Sequence, residues 1–138
     1  MKVYIVRHGQ TDSNLAKTYN TYEEDINENG IKQAEALSEK IKDLKYDVVY
    51  CSPLLRAIHT AKIVNRNNVE TIYDDRIKER DPGTLAGMPW DTTDRDEYWN
   101  YYSETKFGTE ESVKELFSRV HAFLDELKNK NFDSVLVV

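Results

Sequence analysis

Val3-Tyr4-Ile5-Val6-Arg7-His8-Gly9 is the stretch that decides how the chain is read. Four apolar residues run on without polar alternation, the pattern expected of a strand covered on both faces, and the run stops on arginine, histidine and glycine. Working outward, the same strand-then-break pattern recurs. Val48-Val49-Tyr50-Cys51 ends at Ser52-Pro53, where serine can cap a helix and proline can occupy its first turn. That helix carries Leu54, Leu55, Ile58, Ala61 and Ile63 to about Asn65. Between the two strands, Ile31, Ala34, Leu37, Ile41 and Leu44 recur at helical spacing after a break at Asn29-Gly30. Val69 to Tyr73 predicts a weaker third strand, followed by the charged loop Asp74 to Asp81. Periodicity fails between Met88 and Gly108, where aromatic residues mix with charges. From Thr109, residues Val113, Leu116, Phe117, Val120, Phe123, Leu124 and Leu127 form the most regular amphipathic pattern, and Ser134 to Val138 opens a fourth buried strand. Strands alternating with helices predict an α/β fold, an open and mostly parallel sheet with helices on both faces, in one domain over 1–138. Residues 88–109 read as an insertion.

The balance of charges narrows the partners. With 19 Lys+Arg against 25 Asp+Glu, the net charge is −6. Nucleic acid and anionic membrane are excluded as expected partners, since either needs a broad basic face. Cys51 stands alone, so neither an internal disulfide nor a thiolate zinc site is available, and a reducing, cytoplasmic compartment is expected. No apolar stretch near Met1 is long enough for a signal peptide.

In open α/β sheets ligands bind beyond the carboxyl ends of the strands. There the first run delivers Arg7 and His8, the second Ser52 and Arg56, and the third leads to Glu79. Guanidinium forks match phosphate oxygens, a neutral imidazole can attack phosphorus, and a carboxylic acid can protonate a departing oxygen. All five glycines are isolated, which removes nucleotide-cradling loops and with them kinase and dehydrogenase chemistry. A cysteine phosphatase needs five residues between cysteine and arginine, and only four separate Cys51 from Arg56. Cys51 is therefore read as a buried apolar residue. His59 and His121 have no partners at metal-ligand spacing, so no metal and no cofactor is expected.

The joint pattern resembles the histidine phosphatase superfamily, in its phosphoglycerate-mutase-like branch. Arg7-His8-Gly9-Gln10-Thr11 with Asn14 is similar to its opening signature, and Asn29-Gly30-Ile31-Lys32-Gln33-Ala34 to the start of its first helix. Ser52-Pro53-Leu54-Leu55-Arg56-Ala57 with Thr60-Ala61 resembles the second signature, Ile77-Lys78-Glu79 with Gly83 and Gly87 the acid loop, and Glu111-Ser112 the opening of the later helix. The resemblance implies metal-independent hydrolysis of a small phosphorylated metabolite through phosphohistidine. It implies His8 as nucleophile and Glu79 as proton donor, with Arg7, Gly9, Asn14 and Arg56 as the phosphate-binding residues. Segment 88–109 would cap the pocket, or its aromatics would form a satellite core.

Pro82 replaces an aromatic residue frequent before Gly83, and Leu85-Ala86 stand where tryptophan-glutamate is usual before Gly87. In the family the strand matching Ser134 to Val138 leads into a second histidine-glycine pair. The chain is accordingly expected to be C-terminally incomplete, with impaired turnover. Two other readings stay open, a phosphoglycerate mutase and an inactive fragment that binds phosphorylated ligands. An exposed fourth strand or uncovered apolar face is a route to a homo-oligomer.

Overall fold

The computed structural model describes residues 1–138. Strands β1 (Lys2–Ile5), β2 (Val48–Cys51), β3 (Thr71–Tyr73) and β4 (Ser134–Val137) form a single parallel sheet in the order β1-β4-β2-β3. Helices α1 (Asp12–Ala16), α2 (Glu28–Lys40), α3 (Leu55–Val64), α4 (Arg95–Tyr98) and α5 (Val113–Leu127) alternate with them.

The middle of the sheet is apolar on both sides because both sides are covered. Val49, Cys51 and Leu136 face Leu37 of α2, Ile41 just beyond it, and Ala57, Ala61 and Val64 of α3. Val48, Tyr50 and Val135 face Phe123 and Leu127 of α5. Fully burying a side chain of this size stabilises by about 1.5–3 kcal/mol, so these two layers account for the fold. None of the helices is long and apolar enough to cross a membrane.

Several boundaries differ from the sequence reading. Asn29-Gly30 does not break a helix: α2 starts at Glu28, and the Asn27 carboxamide caps it by accepting the Gly30 N–H at 2.9 Å. It stops at Lys40, so Ile41 and Leu44 pack from the turn beyond it. Helix α3 begins after Leu54 rather than at Ser52-Pro53, and Ser52 Oγ accepts the Leu54 N–H at 3.3 Å. The last helix is displaced likewise: Ser112 and Glu115 form a reciprocal cap, which starts α5 at Val113 rather than Thr109. The third strand is shorter than Val69 to Tyr73, and α1 has no counterpart in the periodicity because it is a single capped turn held by Thr11 and Asn14.

Strand β1 is not covered on both faces. Tyr4 and Val6 pack on the α2–α3 side, whereas Ile5 is 81% exposed, because α5 lies over β2 and β4 and does not reach the outermost strand. Strand β4 is the reverse case. It pairs with β1 and β2 on its two sides, so its edges are already used, and the sheet's open edges are β1, with Val3 and Ile5 exposed, and β3, with Ile72 and Tyr73 exposed.

Candidate active site

The carboxyl ends of β1, β2 and β3 bring His8, Arg56 and Glu79 together, as the topology requires. Arg56 sits in the first turn of α3, 97% buried, and its Nη2 donates to Glu79 Oε2 at 3.0 Å while Nη1 donates to the Thr21 carbonyl at 3.0 Å. Its Nε is buried and has no acceptor. His8 Nδ1 lies 2.7 Å from the Gly9 carbonyl oxygen, which can only accept, so that contact places the hydrogen on Nδ1. The other ring nitrogen, Nε2, is 3.5 Å from Glu79 Oε2.

Glu79 therefore faces both an imidazole and a guanidinium. Its desolvation pushes the carboxyl up, but the His8 hydrogen bond and the Arg56 charge outweigh this and hold it down at about 2. Its main chain is clamped as well. Arg119 Nη2 donates to the Glu79 carbonyl at 3.1 Å and Nη1 to the Arg76 carbonyl at 2.7 Å, and the guanidinium is held by both oxygens of Glu111 at 2.6 and 2.8 Å. Glu111 thus acts on the site through Arg119, a link that residue spacing does not reveal.

The remaining residues named from the sequence occupy distinct places. Arg7 lines the cavities on both sides of Glu79 and has no ion-pair partner. Asn14 lines the same cleft, and its Oδ1 accepts the Thr11 N–H at 3.0 Å. The Gly9 N–H is taken by Thr60 Oγ1 at 3.0 Å, and a Cβ there would lie 2.4 Å from the Gly30 carbonyl oxygen. Thr60 in turn donates to the Arg56 carbonyl at 2.8 Å, tying the His8–Gly9 turn to the helix that carries Arg56. Asn20, which no residue pattern marks, accepts the Thr11 hydroxyl through Oδ1 at 2.7 Å and reaches Glu79 Oε2 through Nδ2 at 3.5 Å.

Cys51 is fully buried, and desolvation pushes its thiol up to about 12. It is no thiolate nucleophile, in keeping with the spacing argument. Between Met88 and Gly108, Tyr98 is buried with Tyr19 and Leu85 in a small third core, while Trp90, Arg95, Tyr98 and Trp99 line a cleft of about 200 Å³ that also reaches Arg7, Arg56 and Glu79.

Known proteins resemble this chain in sequence and in fold. Phosphoserine phosphatase 1 of Hydrogenobacter thermophilus is 31% identical across the whole of this chain and 69% of its own length. A 2,3-bisphosphoglycerate-dependent phosphoglycerate mutase of Rhizobium etli is 38% identical over 61% of this chain, which is 43% of the mutase. The crystal structure of the alpha-ribazole phosphatase from Shigella flexneri shares the fold with a TM-score of 0.86 at 24% identity, covering 100% of this chain and 73% of that one. Residues 3–138 match the family described as Histidine phosphatase superfamily (branch 1), and the chain belongs to that superfamily.

Proposed function

We propose that the chain hydrolyses a small phosphate monoester in two steps through a phosphohistidine on His8. The observation that carries this reading is the single point at which His8 Nε2, Arg56 Nη2 and Glu79 Oε2 meet, at 3.5 and 3.0 Å from the carboxylate oxygen. With Nδ1–H directed at the Gly9 carbonyl, the lone pair of a neutral His8 lies on Nε2, the atom next to Glu79.

The resting contacts prepare the reagents. A dianionic phosphoryl group drawn in by Arg7 and Arg56 displaces the Glu79 carboxylate, and its oxygens meet the unpartnered Nε of Arg56. Away from the His8 and Arg56 groups that hold its carboxyl down, Glu79 takes up a proton from solvent, and a neutral His8 presents the lone pair of Nε2. In the first step Nε2 attacks phosphorus in line, the P–O bond to the leaving group breaks, and Glu79 delivers its proton to that oxygen. In the second step water attacks phosphorus, Glu79 takes the water proton, and the N–P bond breaks to release phosphate and regenerate His8. Thr60, Arg119 and Asn20 act as positioning residues.

The same reading places the reaction in a reducing, cytoplasmic setting, without metal or cofactor, on a phosphorylated metabolite rather than nucleic acid or membrane. It takes 88–109 as the segment closing the leaving-group side. Acid-labile labelling tests it. Incubation with phosphoramidate, digestion and mass spectrometry should place the phosphoryl group on His8 and show none in His8→Ala. Label on another residue, or inhibition of turnover by EDTA, would sink the mechanism. Turnover that depends on a bisphosphorylated primer would mark a mutase cycle instead.

A further inference from the structure

We infer that the open edge of β1 is a self-association surface, on which a second copy of this chain pairs antiparallel about a twofold axis beside Tyr4. The direction of the main-chain groups points there. The Lys2 N–H donates to the Asp133 carbonyl and the Val6 N–H to the Val137 carbonyl, both at 2.8 Å, so residues 2, 4 and 6 face β4. Strand alternation then turns the N–H and C=O groups of Val3 and Ile5 to the free edge. Their side chains lie on the α5 side of the sheet, where both are exposed. Free edges are ordinarily blunted by proline, a bulge or charge, and from Val3 to Val6 the strand has none of these.

The trough beside this edge is apolar as well. Successive residues of α5 turn by about 100°, which puts Phe117 and Leu124 on the flank opposite Arg119 and Glu126. Arg119 and Glu126 reach toward β3, to the Arg76 carbonyl and the Arg76 guanidinium respectively. In the order β1-β4-β2-β3 the other flank overlooks β1, so the exposed Phe117 and Leu124 wall a floor made by Val3 and Ile5.

The register names the occupant. Identical strands related by a twofold axis run antiparallel. Centred on Tyr4, Val3 and Ile5 of the copy exchange N–H···O bonds in both directions, and Tyr4 meets its own copy as an aromatic cross-strand pair. Lys2 falls opposite Val6 and Arg7 opposite Met1, so no like charges meet. The other free edge fails that comparison: with β3 centred on Ile72, Glu70 falls opposite Asp74 of the copy.

Light scattering after size exclusion, on the 138-residue chain at about 1 μM to 1 mM, reads the oligomeric state. The mass should rise with concentration from 16.1 kDa toward twice that value. Amide exchange locates the edge. The Val3 and Ile5 N–H groups should slow by about tenfold once about nine chains in ten are paired, while that of Tyr4 is protected throughout. Ile5→Lys and Val3→Glu should each leave a monomer, since each sets an unpaired charge against an apolar residue of the copy. Their equimolar mixture should recover a heterodimer, because the Tyr4-centred register sets the introduced lysine against the introduced glutamate. A mass of 16.1 kDa at every concentration would overturn the inference. So would a dimer that survives Ile5→Lys, and its loss in Ile72→Lys would move the interface to β3. A mixture that stays monomeric, with both variants native by circular dichroism, would overturn the antiparallel pairing.

Discussion

Thr60→Val changes one atom's chemistry and little of its shape. The Thr60 side chain is 1% exposed, and its hydroxyl accepts the buried Gly9 N–H while donating to the Arg56 carbonyl. Valine keeps the branched volume and loses only the hydroxyl. The Arg56 carbonyl still serves the helix, but the Gly9 N–H is left buried without an acceptor, which costs about 1–3 kcal/mol. With urea slopes of about 1–3 kcal/mol/M for small proteins, the unfolding midpoint should fall by roughly 1 M. Function should suffer in addition. Gly9 follows His8 directly, and a turn freed to seek another acceptor moves His8 Nε2 off the line of the proposed attack, so phosphoryl labelling should slow by about tenfold or more. Thr60→Ser supplies the control. It forfeits a methyl group, worth about 0.8 kcal/mol, yet keeps the acceptor, so it should lose stability and retain the labelling rate. Labelling by the valine variant at the wild-type rate would refute the reasoning, as would equal slowing in the serine variant.

Other expectations follow from the same geometry. Glycine to alanine inside a helix ordinarily stabilises by up to about 1 kcal/mol, but at Gly30 the new Cβ would lie 2.3 Å from the Gln10 carbonyl oxygen; Gly30→Ala should instead cost about 1–3 kcal/mol by urea unfolding. Because Glu79 is held at about 2, below the ordinary carboxylate value of 4.5, its contribution to stability is complete above that ordinary value and lost as pH falls from there toward 2. The difference between wild-type and Glu79→Gln unfolding curves should therefore change across that window, and a flat difference would mean the contact with His8 and Arg56 is not formed. Cys51 should resist a thiol reagent in the native protein and react once urea unfolds it, and rapid native reaction would contradict its burial.

What the sequence disclosed follows a physical division. Strands β2 and β4 were legible because strands covered on both faces must be apolar at every position, and α5 because it shows one face to the core and one to water. The position of β4 between β1 and β2 was not, since it depends on pairing between distant segments. Strand β1 misled for a related reason: its run looks like that of a covered strand, but coverage is decided by where α5 lies. At the site, His8, Arg56 and Glu79 could be found because each follows a strand and its side chain carries recognisable chemistry. The links that Thr60 and Arg119 make to the site could not be read, because they run to main-chain groups of Gly9 and Glu79. Every residue has such groups, so no residue type signals the contact.

The place of β4 also sets the order in which the site can come into being. Lys2 at the start of β1 pairs with Ser134, and only through β4 does β1 join β2. His8 and Arg7 ride on the first strand and Arg56 follows the second, so their alignment waits for a segment made more than a hundred residues later. Contacts this distant in sequence slow folding, because the loop entropy is lost before the pairing rewards it. On the ribosome His8 emerges early yet stays apart from Arg56 until β4 slots in between β1 and β2, so the two are brought together in one late step rather than by degrees.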